Sequence, residues 1–158
     1  MGRWKIRRCS SCGGEWWKEV TVLCLKPEEW ESMKREAHLI SFNETGSGAA
    51  HAIDFALLAV DEKKPLAYMT CRESDPDTVY VSHGGAMPET IGTANSYRAY
   101  QAMLDRLGVA YKRASTLIEN TNTPMLRMAM KAGWLISGVR LFEGQVFVEH
   151  QLNFTGGL

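Results

Sequence analysis

After a polar opening stretch, residues 19–25 read Glu-Val-Thr-Val-Leu-Cys-Leu, a β-branched and partly alternating run that predicts a strand. Lys26-Pro27-Glu28-Glu29-Trp30 then predicts a helix start. Proline fits a first turn, and carboxylates favour the positive end of the helix dipole. Trp30, Met33 and Ala37 fall on one face of that helix. Residues 41–50 hold Asn43, Gly46, Ser47 and Gly48 and predict a loop. Two apolar runs, 53–60 and 65–71, predict a strand pair around the polar turn Asp61-Glu62-Lys63-Lys64. A third strand is expected at 78–82, after the turn Asp75-Pro76-Asp77, and it runs into His83-Gly84-Gly85.

The period then changes. Ala94, Tyr97, Tyr100, Met103 or Leu104, and Leu107 recur every three to four residues, which predicts a long helix stopped at Gly108. Residues 114–118 predict a strand closed by Glu119-Asn120-Thr121-Asn122. Thr123 as N-cap with Pro124 at the first helical position opens a second helix, which runs to Ala132 and ends at Gly133. Residues 135–142 and 145–153 predict a terminal hairpin around Glu143-Gly144. The sum is an α/β fold of the α+β kind: one central mixed sheet flanked by helices, with antiparallel hairpins at both ends and one strand–helix–strand crossover near the middle.

Composition narrows the function classes. The chain has 158 residues, 45% apolar and 23% charged, which fits a single globular domain and excludes a disordered chain or a disulfide mini-protein. The longest apolar run, 53–60, contains Asp54 and is too short for a membrane span, and the start carries no apolar leader. Basic and acidic residues balance at 18 each, against a nucleic-acid binder of uniformly basic surface. The balance is uneven, since residues 1–8 carry four positive charges and no acid. That segment is either a solvated terminus or an arm that reaches phosphates. Cys9-Ser10-Ser11-Cys12 supplies half of a zinc site, with only Cys24 and His38 nearby to complete it, so no metal is expected and the cysteines read as reduced thiols of a cytoplasmic protein. Trp16 and Trp17 read as packing for the N-terminal arm.

Three stretches carry a resemblance. Glu89-Thr90-Ile91-Gly92-Thr93-Ala94 lies between a strand and the long helix; Asn122-Thr123-Pro124-Met125-Leu126-Arg127-Met128-Ala129-Met130-Lys131-Ala132-Gly133-Trp134 gives an asparagine, a short helix, then glycine and an aromatic; and 135–153 is the terminal hairpin. Together with the element order they resemble the GCN5-related N-acetyltransferase (GNAT) superfamily, in the cast of short acetyltransferase-like proteins of phages and bacteria. The first stretch is similar to that family's Gln/Arg-x-x-Gly-x-Gly/Ala signature. The resemblance covers residues 19–153, leaving 1–18 as a basic extension and 154–158 as a tail. It implies acetyl-CoA as co-substrate and transfer of its acetyl group to a primary amine by direct attack on the thioester. Three residues depart from the pattern. Glu89 stands where glutamine or arginine is usual, Asn95 where a small residue is common, and Ala129 where many members carry a tyrosine that protonates the thiolate.

Small residues before a helix let backbone N–H groups approach a pyrophosphate, so Thr90, Ile91, Gly92, Thr93, Ala94 and Asn95 are expected on the cofactor; the resemblance of the second stretch implies Asn122 as well. The resemblance implies that pantetheine lies between the splayed ends of the two central strands, which puts Gly84 and Gly85 beside the thioester. His83 is the expected general base, since imidazole titrates in the neutral range, and Glu119 faces the same cleft as the second choice. Tyr68 and Tyr80 are weaker acid candidates, and Met125, Met128 and Met130 read as packing. His38, His51 and His150 have no motif behind them. The expected acceptor is a small molecule or a protein amine. Nucleic acid is a further partner through residues 1–8, and a homodimer a further assembly; no membrane is expected. Two other function classes remain: a nucleic-acid-directed acyltransferase (modified base, aminoacyl-tRNA or DNA-binding protein), and a non-catalytic binding protein on the same fold. Salt-dependent nucleic-acid binding lost with residues 1–8 marks the first, and failure to bind CoA marks the second.

Overall fold

The computed structural model describes residues 3–5, 20–36 and 52–154. The expected 41–50 loop, Cys9, Cys12, Trp16, Trp17, Ala37, His38 and His51 lie outside the described residues. Eight strands, β1 (Arg3–Lys5), β2 (Thr21–Leu25), β3 (Phe55–Asp61), β4 (Lys64–Asp75), β5 (Thr78–Ala86), β6 (Arg113–Glu119), β7 (Leu135–Phe142) and β8 (Gln145–Asn153), form one sheet in the order β1-β2-β3-β4-β5-β6-β8-β7. Every neighbouring pair is antiparallel except β5–β6. Arg3–Lys5, expected to be part of an arm, pairs with β2 at the sheet edge.

Among the described residues, three helices cover the two faces: α1 (Pro27–Glu36), α2 (Ala94–Ala110) and α3 (Thr123–Lys131). Alternation within the strands sends Leu58 and Tyr68 to one side, where they meet Leu25, Ala56, Met87 and Trp30 of α1. It sends Leu57, Met69, Val79 and Val81 to the other, against Ala99, Met103, Leu104 and Leu107 of α2 and Ala129 and Trp134. Each fully buried side chain of leucine size contributes roughly 1.5–3 kcal/mol, so this larger cluster dominates stability.

Several expected boundaries move, three of them with a clear physical cause. Gly108 does not stop α2, which continues to Ala110; a Cβ at that position would lie 3.0 Å from Phe154, so the glycine makes room for that ring. The residue expected to begin the tail is therefore packed against the domain. The cap of α3 is Asn122, not Thr123: its Oδ1 accepts from Met125 N–H at 3.3 Å. Asn122→Ala should lower unfolding stability by about 0.5–1 kcal/mol, the lower range for an N-cap given that long, exposed bond, read from the denaturant midpoint. Lastly, β5 does not end at Ser82 but runs through both glycines to Ala86.

Candidate active site

The parallel seam between β5 and β6 is short. Register pairs run only from Thr78↔Arg113 to Val81↔Thr116, after which the two strands part. Two devices fix the parting. Thr116 Oγ1 donates to the Val81 carbonyl at 2.8 Å, closing the apex. Just beyond, β5 bulges against β4: Cys71 pairs with Val81 and Thr70 with His83, leaving Ser82 as the extra residue. Its hydroxyl donates to the Thr70 carbonyl at 3.1 Å and bonds the Thr70 hydroxyl at 2.9 Å, which pins the bulge.

The fork opens into a cleft of about 210 Å³. Ser82–Ala86 form one lip, Leu117–Glu119 the other, with Ser96, Tyr100 and Met103 of α2 and Asn122, Met125 and Met128 of α3 below. His83 and Glu119 thus share one cleft, as expected, with His83 exposed and Glu119 half-buried. Gly84 and Gly85 line it too, for different reasons. A Cβ on Gly85 would come 2.8 Å from the Tyr68 ring, so packing alone demands glycine there. A Cβ on Gly84 would meet only the Tyr68 carbonyl at an ordinary 3.5 Å. Burial pushes the Tyr68 hydroxyl up to about 12. Its ring lies 5.0 Å from that of Trp30.

The loop before α2 is anchored through a second bulge. Leu66 is the extra residue of β4 opposite Ala59 and Val60, and its carbonyl accepts from Met87 N–H and Thr90 Oγ1, both at 2.8 Å. Thr90 is therefore buried, its side chain facing inward. Its amide and that of Ile91 donate to the Met87 carbonyl, and that of Thr93 to the Thr90 carbonyl. Those three amides, expected on a phosphate, are engaged in the turn itself. The N–H groups of Gly92, Ala94 and Asn95 remain for an anion, having no backbone partner among the described residues. Gly92 adopts φ +74°, the left-handed conformation that favours glycine. Asn95 does not cap the helix; its Oδ1 accepts from Arg98 at 3.1 Å, while Thr93 holds the N-cap position.

Sequence reasoning missed the floor of the cleft. Tyr100 and Trp134 both line it, at 6% and 2% exposure, and neither the Tyr100 hydroxyl nor Trp134 Nε1 has a hydrogen-bond partner among the described residues. An unpaired buried polar group costs ~1–3 kcal/mol, so two together require an explanation. Helical periodicity placed Tyr100 in the core correctly; only its hydroxyl, at a position where leucine would pack as well, hinted at more. His150, also buried, bonds the Val148 carbonyl through Nδ1 at 3.1 Å and pairs with Thr116 across β6. Tyr80 is half-buried beneath Arg72, and Met130 is exposed rather than packed. Cys24 and Cys71 are free thiols, both pushed up mainly by burial, and no cluster of metal-ligating side chains occurs among the described residues.

No family model matches the chain, and no curated protein matches it. Solved structures do. A chimera of spermidine N-acetyltransferase SpeG from Vibrio cholerae and hSSAT aligns over 86% of this chain and 96% of its own, at 12% identity and TM-score 0.67. Naa50 from Arabidopsis thaliana, solved with a bisubstrate analogue of CoA and peptide, covers 84% and 99%, at 13% identity and TM-score 0.63. The ribosomal-protein-S5-alanine acetyltransferase of Vibrio fischeri covers 87% and 94%, at 14% identity and TM-score 0.61.

Proposed function

On a chain with the GNAT acetyltransferase fold, we propose an N-acetyltransferase that moves the acetyl group of acetyl-CoA to a primary amine. The observation that carries this reading is the fork: beyond Val81 and Thr116 both strand edges lose each other as partners, and the opening leads to a helix start with unspent amides. An extended pantetheine would satisfy the strand edges as an added strand does, and the pyrophosphate would take the N–H groups of Gly92, Ala94 and Asn95.

In the reaction, the amine nitrogen attacks the thioester carbonyl carbon, the C–N bond forms and the C–S bond breaks with its electron pair going to sulfur. Backbone N–H groups around Gly84 face the developing oxyanion. His83 takes the amine proton directly or through one water, with Glu119 on the opposite lip as the alternative base. No described helix is long and apolar enough to cross a membrane.

The test is mass spectrometry on a panel of polyamines, peptide N-termini and aminoacyl-tRNA incubated with labelled acetyl-CoA, beside calorimetric CoA binding. Binding with transfer supports the reading; no CoA binding at millimolar concentration overturns it.

Glu89 gives a further prediction. It is exposed in the loop that leads to the three open amides, where a carboxylate repels a pyrophosphate. Glu89→Arg should tighten CoA binding roughly fivefold at low salt, on the order of 1 kcal/mol, and less at high salt. Unchanged calorimetric affinity at both salt concentrations would show the side chain turned away.

A further inference from the structure

Large apolar side chains left exposed among the described residues gather on one strand. Leu135, Ile136, Val139, Leu141 and Phe142 of β7 are each between 59% and 77% exposed, whereas Ile91, Val109 and Met130 stand singly on a loop, α2 and α3. β7 also ends the sheet, so its outer backbone edge has no strand partner among the described residues. Exposed edges are ordinarily kept short, charged or broken by proline. β1 at the opposite end follows that rule, with three residues of which Arg3 and Lys5 are basic. β7 has eight residues, no lysine and no proline. Its one charge, Arg140, is answered by Glu149 of β8 at 2.9 Å. Ser137 is the extra residue of a bulge, which leaves 138–142 as the regular run.

We propose that β7 is the interface of a symmetric homodimer, in which two copies pair antiparallel along this edge with Val139 facing its own counterpart. The charges and the one glycine of the strand select that centre. On β7, Ile136, Val139 and Leu141 share the face of Val146 and Val148, while Gly138, Arg140 and Phe142 share that of Glu149 and Phe147. The Glu149 carboxylate lies over Gly138, since a Cβ there would sit 3.7 Å from its Oε2. With Val139 on the two-fold axis, Gly138 of one copy stands opposite Arg140 of the other. That guanidinium therefore arrives where no side chain obstructs it, beside the Glu149 carboxylate. Symmetry repeats the contact, so two guanidiniums and two carboxylates alternate across the junction. Centring the pair on Arg140 would oppose the two guanidiniums, and centring it on Gly138 would bring the two carboxylates together. On the other face, the stripe of Ile136, Val139 and Leu141 of one copy runs antiparallel beside that of the second. At roughly 100 Å² for each of the five exposed side chains, a symmetric pair hides about 1,000 Å², the size at which a specific interface becomes stable. A self-complementary patch of this kind is satisfied at two copies.

The test is sedimentation equilibrium on the full chain over a wide range of concentration. The wild type should reach twice the mass of one chain. Val139→Lys should raise the dimer dissociation constant at least ~30-fold, the scale of a residue at the centre of an interface. The side chain is exposed, so circular dichroism should show the fold kept. Arg140→Glu and Glu149→Arg isolate the register. Either change alone sets like charges against each other across the junction, and each variant should sediment as a monomer. An equimolar mixture of the two should form heterodimers, because every charge at the junction then meets its opposite in the other chain. This pair also decides the matter if Val139→Lys fails to fold. A wild-type chain that stays monomeric at the highest attainable concentration overturns the proposal. So does a dimer that a folded Val139→Lys chain retains, since it would use another surface. Charge variants that dimerise alone as the wild type does, or a mixture that stays monomeric, overturn the register and the proposal with it. No cofactor or acceptor enters the measurement, so the acetyltransferase reading stands or falls separately.

Discussion

Replacing His83 with alanine should lower turnover by ~10²–10⁴-fold, the span that a positioned general base contributes. His83 stands on the β5 lip one residue past the bulge at Ser82, paired with Thr70 and opposite Glu119 across the cleft. The bulge sets which way residue 83 faces, because one extra residue shifts the alternation of the strand. CoA affinity should stay within a few-fold, since backbone groups rather than imidazole would hold the cofactor. The base must be deprotonated to act, so activity should rise with pH through its titration. That rising limb should vanish in His83→Ala. If turnover stays within threefold and the limb persists, Glu119 is the base to replace next. Full rates in both variants would leave proton removal to bulk water.

The second large effect is expected at Gly92. A Cβ there would meet nothing within 4 Å, so a larger side chain causes no clash; the cost arises from φ +74°. A left-handed conformation costs an ordinary L-residue roughly 1–2 kcal/mol, and β-branched residues suffer most. Gly92→Val should therefore rebuild the turn, displace the N–H groups of Gly92, Ala94 and Asn95, and weaken CoA binding at least tenfold, about 1.4 kcal/mol. Gly92→Asn is the matched control, because asparagine tolerates that conformation; its affinity should remain within threefold. Calorimetry on both folded variants decides the point. Equal affinity in valine and wild type would remove this loop from the binding site.

The terminal hairpin was legible to the residue because its turn is local: Glu143 and Gly144 take φ 49° and 77°, the pair that a tight two-residue turn requires. Local patterns also located the strand–helix–strand crossover and put His83 and Glu119 in one cleft. Misreadings came where distant residues decide. Gly108 looks like a helix stop until Phe154 is seen against it, and Gly84-Gly85 looks like a strand end until β4 and the Tyr68 ring are in place. Beyond Cys71, β4 continues through the exposed segment Arg72-Glu73-Ser74-Asp75, where no apolar alternation marks a strand. In the loop before α2, sequence indicated a ligand-facing turn but could not show that Thr90 turns inward to a carbonyl freed by the Leu66 bulge. The floor of the cleft was hidden for the same reason. Nothing local distinguishes a tyrosine that buries its hydroxyl against a partner from one that buries it with none.

The short seam has a consequence for cooperativity. Five strands stand on one side of it and three on the other, joined directly by the register pairs from Thr78↔Arg113 to Val81↔Thr116 and bridged by α2. Apart from the short β1 edge, backbone bonding is thus sparsest across this seam, at the line where two otherwise continuous antiparallel blocks meet. Such blocks are natural units of partial opening, and this line is where they separate. A guest that hydrogen-bonds to both lips at once would work as a stitch. Its binding energy would be felt as cohesion between the halves, lifting the free energy of their separation by RT ln(1 + [L]/Kd). Occupancy of the cleft and integrity of the whole sheet would then be two measures of one quantity.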